Sequence, residues 1–206
     1  RAGSQSGICE HRRHAIGAVH GAEAEQILAM ADATGARALL TVVLEPEMDR
    51  SAAAEGLAQL CALVAPGGVQ VCLEWLPWTA MATIASAHDL LVTADADNCG
   101  ITFDTWHWMR QPGGPDLDTL SRFDGSQIGY LQLCDAAATP GDDVLTEAMT
   151  ARLLPGDGIV DFAGVLDLLD AMGARPYVAS EIFNADILAG GATAAAAAFH
   201  DACARL

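Results

Sequence analysis

Apolar and polar residues along this chain fall into blocks that switch between a helical and a strand period. From Ala22 to Thr34 the apolar positions Ile27, Leu28, Met30 and Ala31 recur at helical spacing, and Gly35 marks a stop before the apolar run Ala38 to Leu44. The order then repeats. Ser51 to Val64 reads as a helix closed by Pro66-Gly67-Gly68, and Val69 to Leu76 as a strand. Thr79 to Ala94 reads as a helix, Cys99 to Phe103 as a short strand ending at Asp104, Leu117 to Phe123 as a helix, and Ile128 to Cys134 as a strand ending at Asp135. Phe162 to Met172, Pro176 to Ile182 and the alanine-rich Thr193 to Ala204 give helix, strand and helix again.

Five near-continuous apolar strands alternating with helices predict an α/β fold with a parallel sheet covered by helices. Periodicity alone does not separate an open doubly wound sheet from a closed barrel. The polar residues do: Glu74, Asp104, Gln132 and Glu181 lie in the closing residues of successive strands, and a barrel converges those ends on one mouth. A (β/α)8 barrel takes about 250 residues. We therefore expect a single barrel domain over residues 1–206, truncated at its N-terminus, with the first strands missing and residues 1–21 atypical or poorly ordered.

Composition narrows the partners. Of 206 residues, 52% are hydrophobic and 18% charged, which supplies one large core and excludes global disorder. Ten basic against 27 acidic residues give a net charge of -17, which repels nucleic acid and anionic membrane surfaces. The six cysteines form no CxxC pair and sit mostly in apolar runs, the usage of a reducing cytoplasm. No apolar stretch reaches the roughly 18 residues of a membrane span, and no signal-peptide core is recognisable.

An acidic residue at a strand end also reads as a loop or helix cap. As a set, three carboxylates and an amide oxygen aimed at one mouth form the hard-oxygen environment of Mg²⁺ or Mn²⁺, and a bound cation would relieve their mutual repulsion. Nothing in the Cys and His spacing suggests structural zinc.

The segments VCLEW around Glu74, GITFDTWHW around Asp104 and His107, YLQLCDA around Gln132 and Asp135, RLLPGDGIVDF from Arg152 to Phe162 and YVASEIF around Glu181 resemble the xylose isomerase-like TIM-barrel superfamily. They follow its order, at intervals of 30, 28 and 49 residues between the four strand-end positions. The resemblance implies a divalent cation, Mn²⁺ or Mg²⁺, held by Glu74, Asp104, Gln132 and Glu181, with His107 reaching the substrate. It makes Glu74 and Glu181 acid/base candidates on opposite faces of an enediolate. Many members carry His in place of Gln132; the amide variant resembles 3-dehydroshikimate dehydratases and keeps an oxygen donor less suited to zinc. The chain also lacks a Glu shortly after Glu74, where Trp78, Thr79 and Ala80 stand, unlike the ketose epimerases. The endonuclease IV branch, with its histidine-rich zinc cluster, fits neither Gln132 nor the charge.

Individual residues read as follows. His107 is either a buried histidine between Trp106 and Trp108 or an acid/base that contacts substrate. Arg152 is either a solvated loop cation or a group that orients a substrate carboxylate or phosphate. Asp135 is a helix cap or a partner to Gln132, and Trp75 and Trp78 wall the mouth or pack beneath a loop. His11, His14 and His20 read as exposed or disordered; His88 and His200 carry no chemistry. The expected activity is a metal-dependent isomerase or epimerase on a small sugar, sugar phosphate or keto-polyol. A dehydratase of the 3-dehydroshikimate type is the alternative. A noncatalytic fragment or pseudo-enzyme is a third reading, and unpaired strand edges of an open barrel would favour association into a homo-oligomer.

Overall fold

A computed structural model describes His14–Ala15 and residues 21–206 of the protein, with side chains from residue 25 onward. The expectations for residues 1–21, including those for the His11, His14 and His20 side chains, lie largely outside the described residues. The elements are β1 (His14–Ala15), α1 (Gly21–Thr34), β2 (Ala38–Val42), α2 (Arg50–Val64), β3 (Gln70–Glu74), α3 (Ile84–Ala94), β4 (Cys99–Asp104), α4 (Thr105–Arg110) and α5 (Leu117–Leu120). They continue with β5 (Ile128–Leu133), α6 (Val144–Thr150), α7 (Phe162–Ala171), β6 (Tyr177–Ser180), α8 (Ala185–Ala189) and α9 (Ala192–Cys203).

The strands form one parallel sheet in the order β1-β2-β3-β4-β5-β6. A doubly wound sheet reverses its strand order at a switch point; here neighbours in sequence are neighbours in space throughout. With right-handed crossovers, that order lays the connecting helices on one face and leaves the other facing inward, the wall of a (β/α) barrel.

Strand side chains alternate accordingly. Val71 and Leu73 of β3, Cys99, Ile101 and Phe103 of β4, and Leu131 and Leu133 of β5 join the main core beneath the helices, together with Leu57, Leu60 and Val64 of α2. The intervening residues, Glu74, Asp104 and Gln132, take the inner face. A register irregularity between Ile101 and Thr102, opposite Gly129, keeps that alternation in step and makes Asp104 and Gln132 direct partners across β4 and β5. A Cβ on Gly129 would collide with the Cys72 sulfur and Gln70 side chain. Glycine is required there because two strands pack closely.

Two boundaries differ from the sequence reading. The helix expected from Thr79 begins at Ile84, because Thr83 is extended (φ −136°, ψ 155°) and forms a capping box with Ser86. The Thr79 hydroxyl donates instead to the Leu76 carbonyl in a turn (3.1 Å). Helices α4, α6 and α8 were not expected at all; at six, seven and five residues they are too short to show a period.

The segment after α6 is anchored by Asp135. Its carboxylate accepts the backbone N–H groups of Gly156 (3.0 Å), Gly158 (2.9 Å), Val160 (2.9 Å) and Ala136 (2.8 Å). Asp135 and Leu153 also form an antiparallel bridge, as do Ala151 and Asn184. Asp135 is thus neither a helix cap nor a contact of Gln132, but the post on which the loop from Arg152 onward is wound.

Replacing Asp135 with Asn turns one of its acceptor oxygens into a donor facing donors. Asp135→Asn should therefore lower stability by about 1–3 kcal/mol, read as a reduced urea midpoint with unchanged slope. An unaltered midpoint would show that these four bonds do not hold the loop.

Candidate metal and active site

Glu74 closes β3, Asp104 closes β4 and caps α4, Gln132 lies on β5, and Glu181 directly follows β6. All four are buried, as are His107 and Arg152. Asp104 Oδ1 accepts the N–H groups of Trp106 (2.7 Å) and His107 (2.9 Å), which turns the chain from strand into helix. That turn swings the imidazole back over the strand end. His107 Nε2 lies 3.1 Å from Glu74 Oε1 and 3.9 Å from Asp104 Oδ2. Ligand atoms of Glu74, Asp104 and His107 fall within 4.8 Å of one another.

Arg152 ties the remaining carboxylate to this group. Its Nη1 donates to Asp104 Oδ2 (2.6 Å), Glu181 Oε2 (3.2 Å) and the Glu181 carbonyl (3.3 Å), and its Nε to the Ala148 carbonyl (2.9 Å). Nη2 lies 3.5 Å from His107 Nε2. The guanidinium stacks over Trp106 and Phe183, each 5.3 Å from its carbon. The solvated-cation reading of Arg152 is therefore overturned: its backbone is fixed by bonds to Phe183 and Asn184, which carries the side chain inward.

The electrostatics follow from these contacts. Burial alone would push the Asp104 carboxyl up, but Arg152 and then His107, with the α4 N–H groups, hold it below the usual range. Burial likewise opposes the Arg152 charge, yet Asp104 and its neighbours hold the guanidinium above its ordinary value. Beneath Asp104, burial and then the Asp104 charge push the Cys134 thiol up, so it remains a neutral thiol, 3.5 Å from Asp104 Oδ1. The Thr105 hydroxyl, between the carbonyls of Gln132 (3.1 Å) and Cys134 (2.5 Å), stitches the end of β4 to the end of β5. Thr105, Cys134 and the inward Arg152 have no sequence signature of their own.

Some polar atoms in this cluster lack hydrogen-bond partners. Glu74 Oε1, Gln132 Oε1 and His107 Nδ1 are buried without one. A buried carboxylate and amide oxygen without donors are costly unless a cation satisfies them. The donor set fits a divalent cation: carboxylate and amide oxygens with one imidazole nitrogen. His107 lies close enough to share that position, beyond the substrate contact expected of it. Glu181 meets Asp104 through Arg152. Trp78 stands edge-on to His107, with ring centroids 5.4 Å apart, while Trp75 is buried against Phe103 (5.7 Å).

Comparison with known proteins agrees with this architecture. Residues 15–203 match the xylose isomerase-like TIM barrel family. An inosose isomerase of Bacillus licheniformis is 28% identical over 137 residues, 66% of this chain and 48% of that protein. A 3-dehydroshikimate dehydratase of Pseudomonas aeruginosa is 33% identical over 132 residues, 64% of this chain and 20% of that protein. The chain thus spans about half the length of the inosose isomerase, and less of the dehydratase. Among solved structures, the zinc-bound IolI protein superposes with a TM-score of 0.73 at 22% identity, covering 89% of this chain and 69% of that one. Among the described residues, no helix is long and apolar enough to cross a membrane. Unreversed strand order, polar residues gathered at the strand ends and a match running nearly the whole length of the sequence have one common explanation: this chain belongs to the xylose isomerase-like TIM-barrel family.

Proposed function

We propose that this chain carries the active site of a divalent-metal-dependent isomerase or epimerase acting on a small polyhydroxy carbonyl compound. The observation that carries the reading is the buried set Glu74, Asp104 and His107, with orphaned oxygens on Glu74 and Gln132. Glu74, Asp104, Gln132 and Glu181, with His107 beside them, would hold the cation. When bound, it would polarise a substrate carbonyl and stabilise the negative charge that develops as an adjacent carbon-bound proton leaves. The oxygen-rich set favours Mn²⁺ or Mg²⁺; the zinc atom of IolI makes zinc the competitor to compare.

The chain's own groups manage the protons and the water. Glu74 Oε1 faces His107 Nε2 at 3.1 Å, so a proton taken by either can be held between them. Glu181, fixed by Arg152, supplies a second carboxylate for proton return. Asp104, held ionised by the same guanidinium, keeps its negative charge through the cycle. Trp78 covers the exposed edge of the imidazole and excludes water from that side.

The dehydratase reading has its own support. Besides the 33% identity to a 3-dehydroshikimate dehydratase, an inosose dehydratase of Klebsiella pneumoniae is 30% identical over 138 residues. The first step is common to both: a base takes the proton beside the carbonyl. A hydroxyl then departs instead of a proton returning.

Two measurements test these readings. Calorimetric titration of Mn²⁺ into Glu74→Gln should show affinity reduced at least tenfold, with turnover lost, since the change is nearly isosteric but removes a ligand charge. Equal affinity in the variant would remove Glu74 from the site. Incubation of the Mn²⁺-loaded protein with ketoses and keto-polyols in D₂O should place deuterium on the carbon beside the carbonyl. Formation of an ultraviolet-absorbing protocatechuate product from 3-dehydroshikimate, without such exchange in any polyol, would put the dehydratase first.

A further inference from the structure

This inference rests on the reading of the strand ends as a site for polyhydroxy carbonyl compounds, and concerns the charge of the substrate it takes. Three carboxylates, those of Glu74, Asp104 and Glu181, gather there. Two guanidiniums lie within reach, packed against the same indole: Arg152 at 5.3 Å and Arg110 at 5.8 Å from the Trp106 ring centre. Both are already engaged. Arg152 is bound to Asp104, Glu181 and the Ala148 carbonyl. Arg110 Nε and Nη2 grip the buried Glu147 carboxylate (2.6–3.2 Å), and Nη2 also donates to the Ala137 carbonyl (2.6 Å). The sequence contains no lysine to take their place.

Beside Gln132 and Glu181 opens a cavity of about 500 Å³. Its polar wall is built from Tyr130, Gln132 and Ser180, and its apolar wall from Leu133, Val178 and Phe199; no lysine or arginine lines it. The imidazole on its rim, His200, faces Asp201 at 3.3 Å. Uncharged hydroxyl and amide groups set among apolar surface suit the hydroxyls and ring carbons of a polyol.

We propose that the site selects neutral polyhydroxy ketones and rejects phosphorylated and carboxylated members of the same class. Three carboxylates, one guanidinium and a divalent cation sum to zero. A neutral substrate preserves that balance. A phosphate or carboxylate adds an uncompensated negative charge in a desolvated site, on a molecule of net charge -17. The cations that could have received it are spent inside the protein.

Equilibrium calorimetry on the Mn²⁺-loaded protein tests this with three unreactive probes: myo-inositol, its carboxylated counterpart quinate, and inositol 1-phosphate. Myo-inositol should bind at least tenfold more tightly than either anion, with affinity unchanged between 20 and 200 mM salt. The anions should gain affinity over that range, as screening weakens their repulsion. Val178→Lys, at an exposed position on the cavity wall, should raise affinity for both anions about tenfold and leave myo-inositol unaffected. Tighter binding of an anion to the unaltered protein, falling with salt, would overturn the selectivity while leaving the polyol site standing. Failure of all three probes to bind would overturn both.

Discussion

Three carboxylates cannot be brought to the ends of neighbouring strands and buried unless positive charge lies among them, and within this chain Arg152 supplies it. Its Nη1 sits 2.6 Å from Asp104 and 3.2 Å from Glu181. Isolated, each of these ions would carry a desolvation cost of several kcal/mol or would neutralise itself by a shifted pKa. Together they remain ionised. The loop wound around Asp135 delivers the guanidinium from sequence far downstream, and two backbone carbonyls fix its plane. The acidic mouth is therefore a property of the folded loop as much as of the strands.

The same arrangement leaves the charge incompletely balanced. One guanidinium among three carboxylates leaves an excess of two negative charges, with Glu74 Oε1 and Gln132 Oε1 still lacking donors. A divalent cation removes both deficits at once. This links the packing of strands β3, β4 and β5 to chemistry: the inward alternation that places Glu74, Asp104 and Gln132 on one face also defines where a Lewis acid can sit. Above it, Trp78 and Trp106 enclose the imidazole of His107 on two sides.

Much of this was legible in the sequence. Strands fully buried on both faces read as continuous apolar runs, so β2 to β6 stand out, and the polar residue that interrupts each closing end is conspicuous. Glu74, Asp104, Gln132 and Glu181 were visible for that reason. Short helices were not: α4 spans less than two turns, and its N-cap is the same Asp104 read as a strand end. The inward turn of Arg152 was equally hidden, because nothing in RLLPGDG says that Asp135, 17 residues earlier, will gather its backbone N–H groups. Long-range hydrogen bonds of this kind leave no local period. The role of His107 was half legible: its position three residues after Asp104 is in the sequence, but its approach to Glu74, on another strand, is a consequence of the sheet.

The central claim, that these buried groups form one divalent-cation site, is most directly tested by crystals grown with Mn²⁺ and measured at the manganese absorption edge. The account predicts a single strong anomalous peak among Glu74, Asp104, Gln132, Glu181 and His107, with oxygen and nitrogen ligands at about 2.0–2.4 Å. An empty mouth, with Arg152 still bridging Asp104 and Glu181 and manganese only on the acidic surface around Glu45, Glu47 and Asp49, would contradict it.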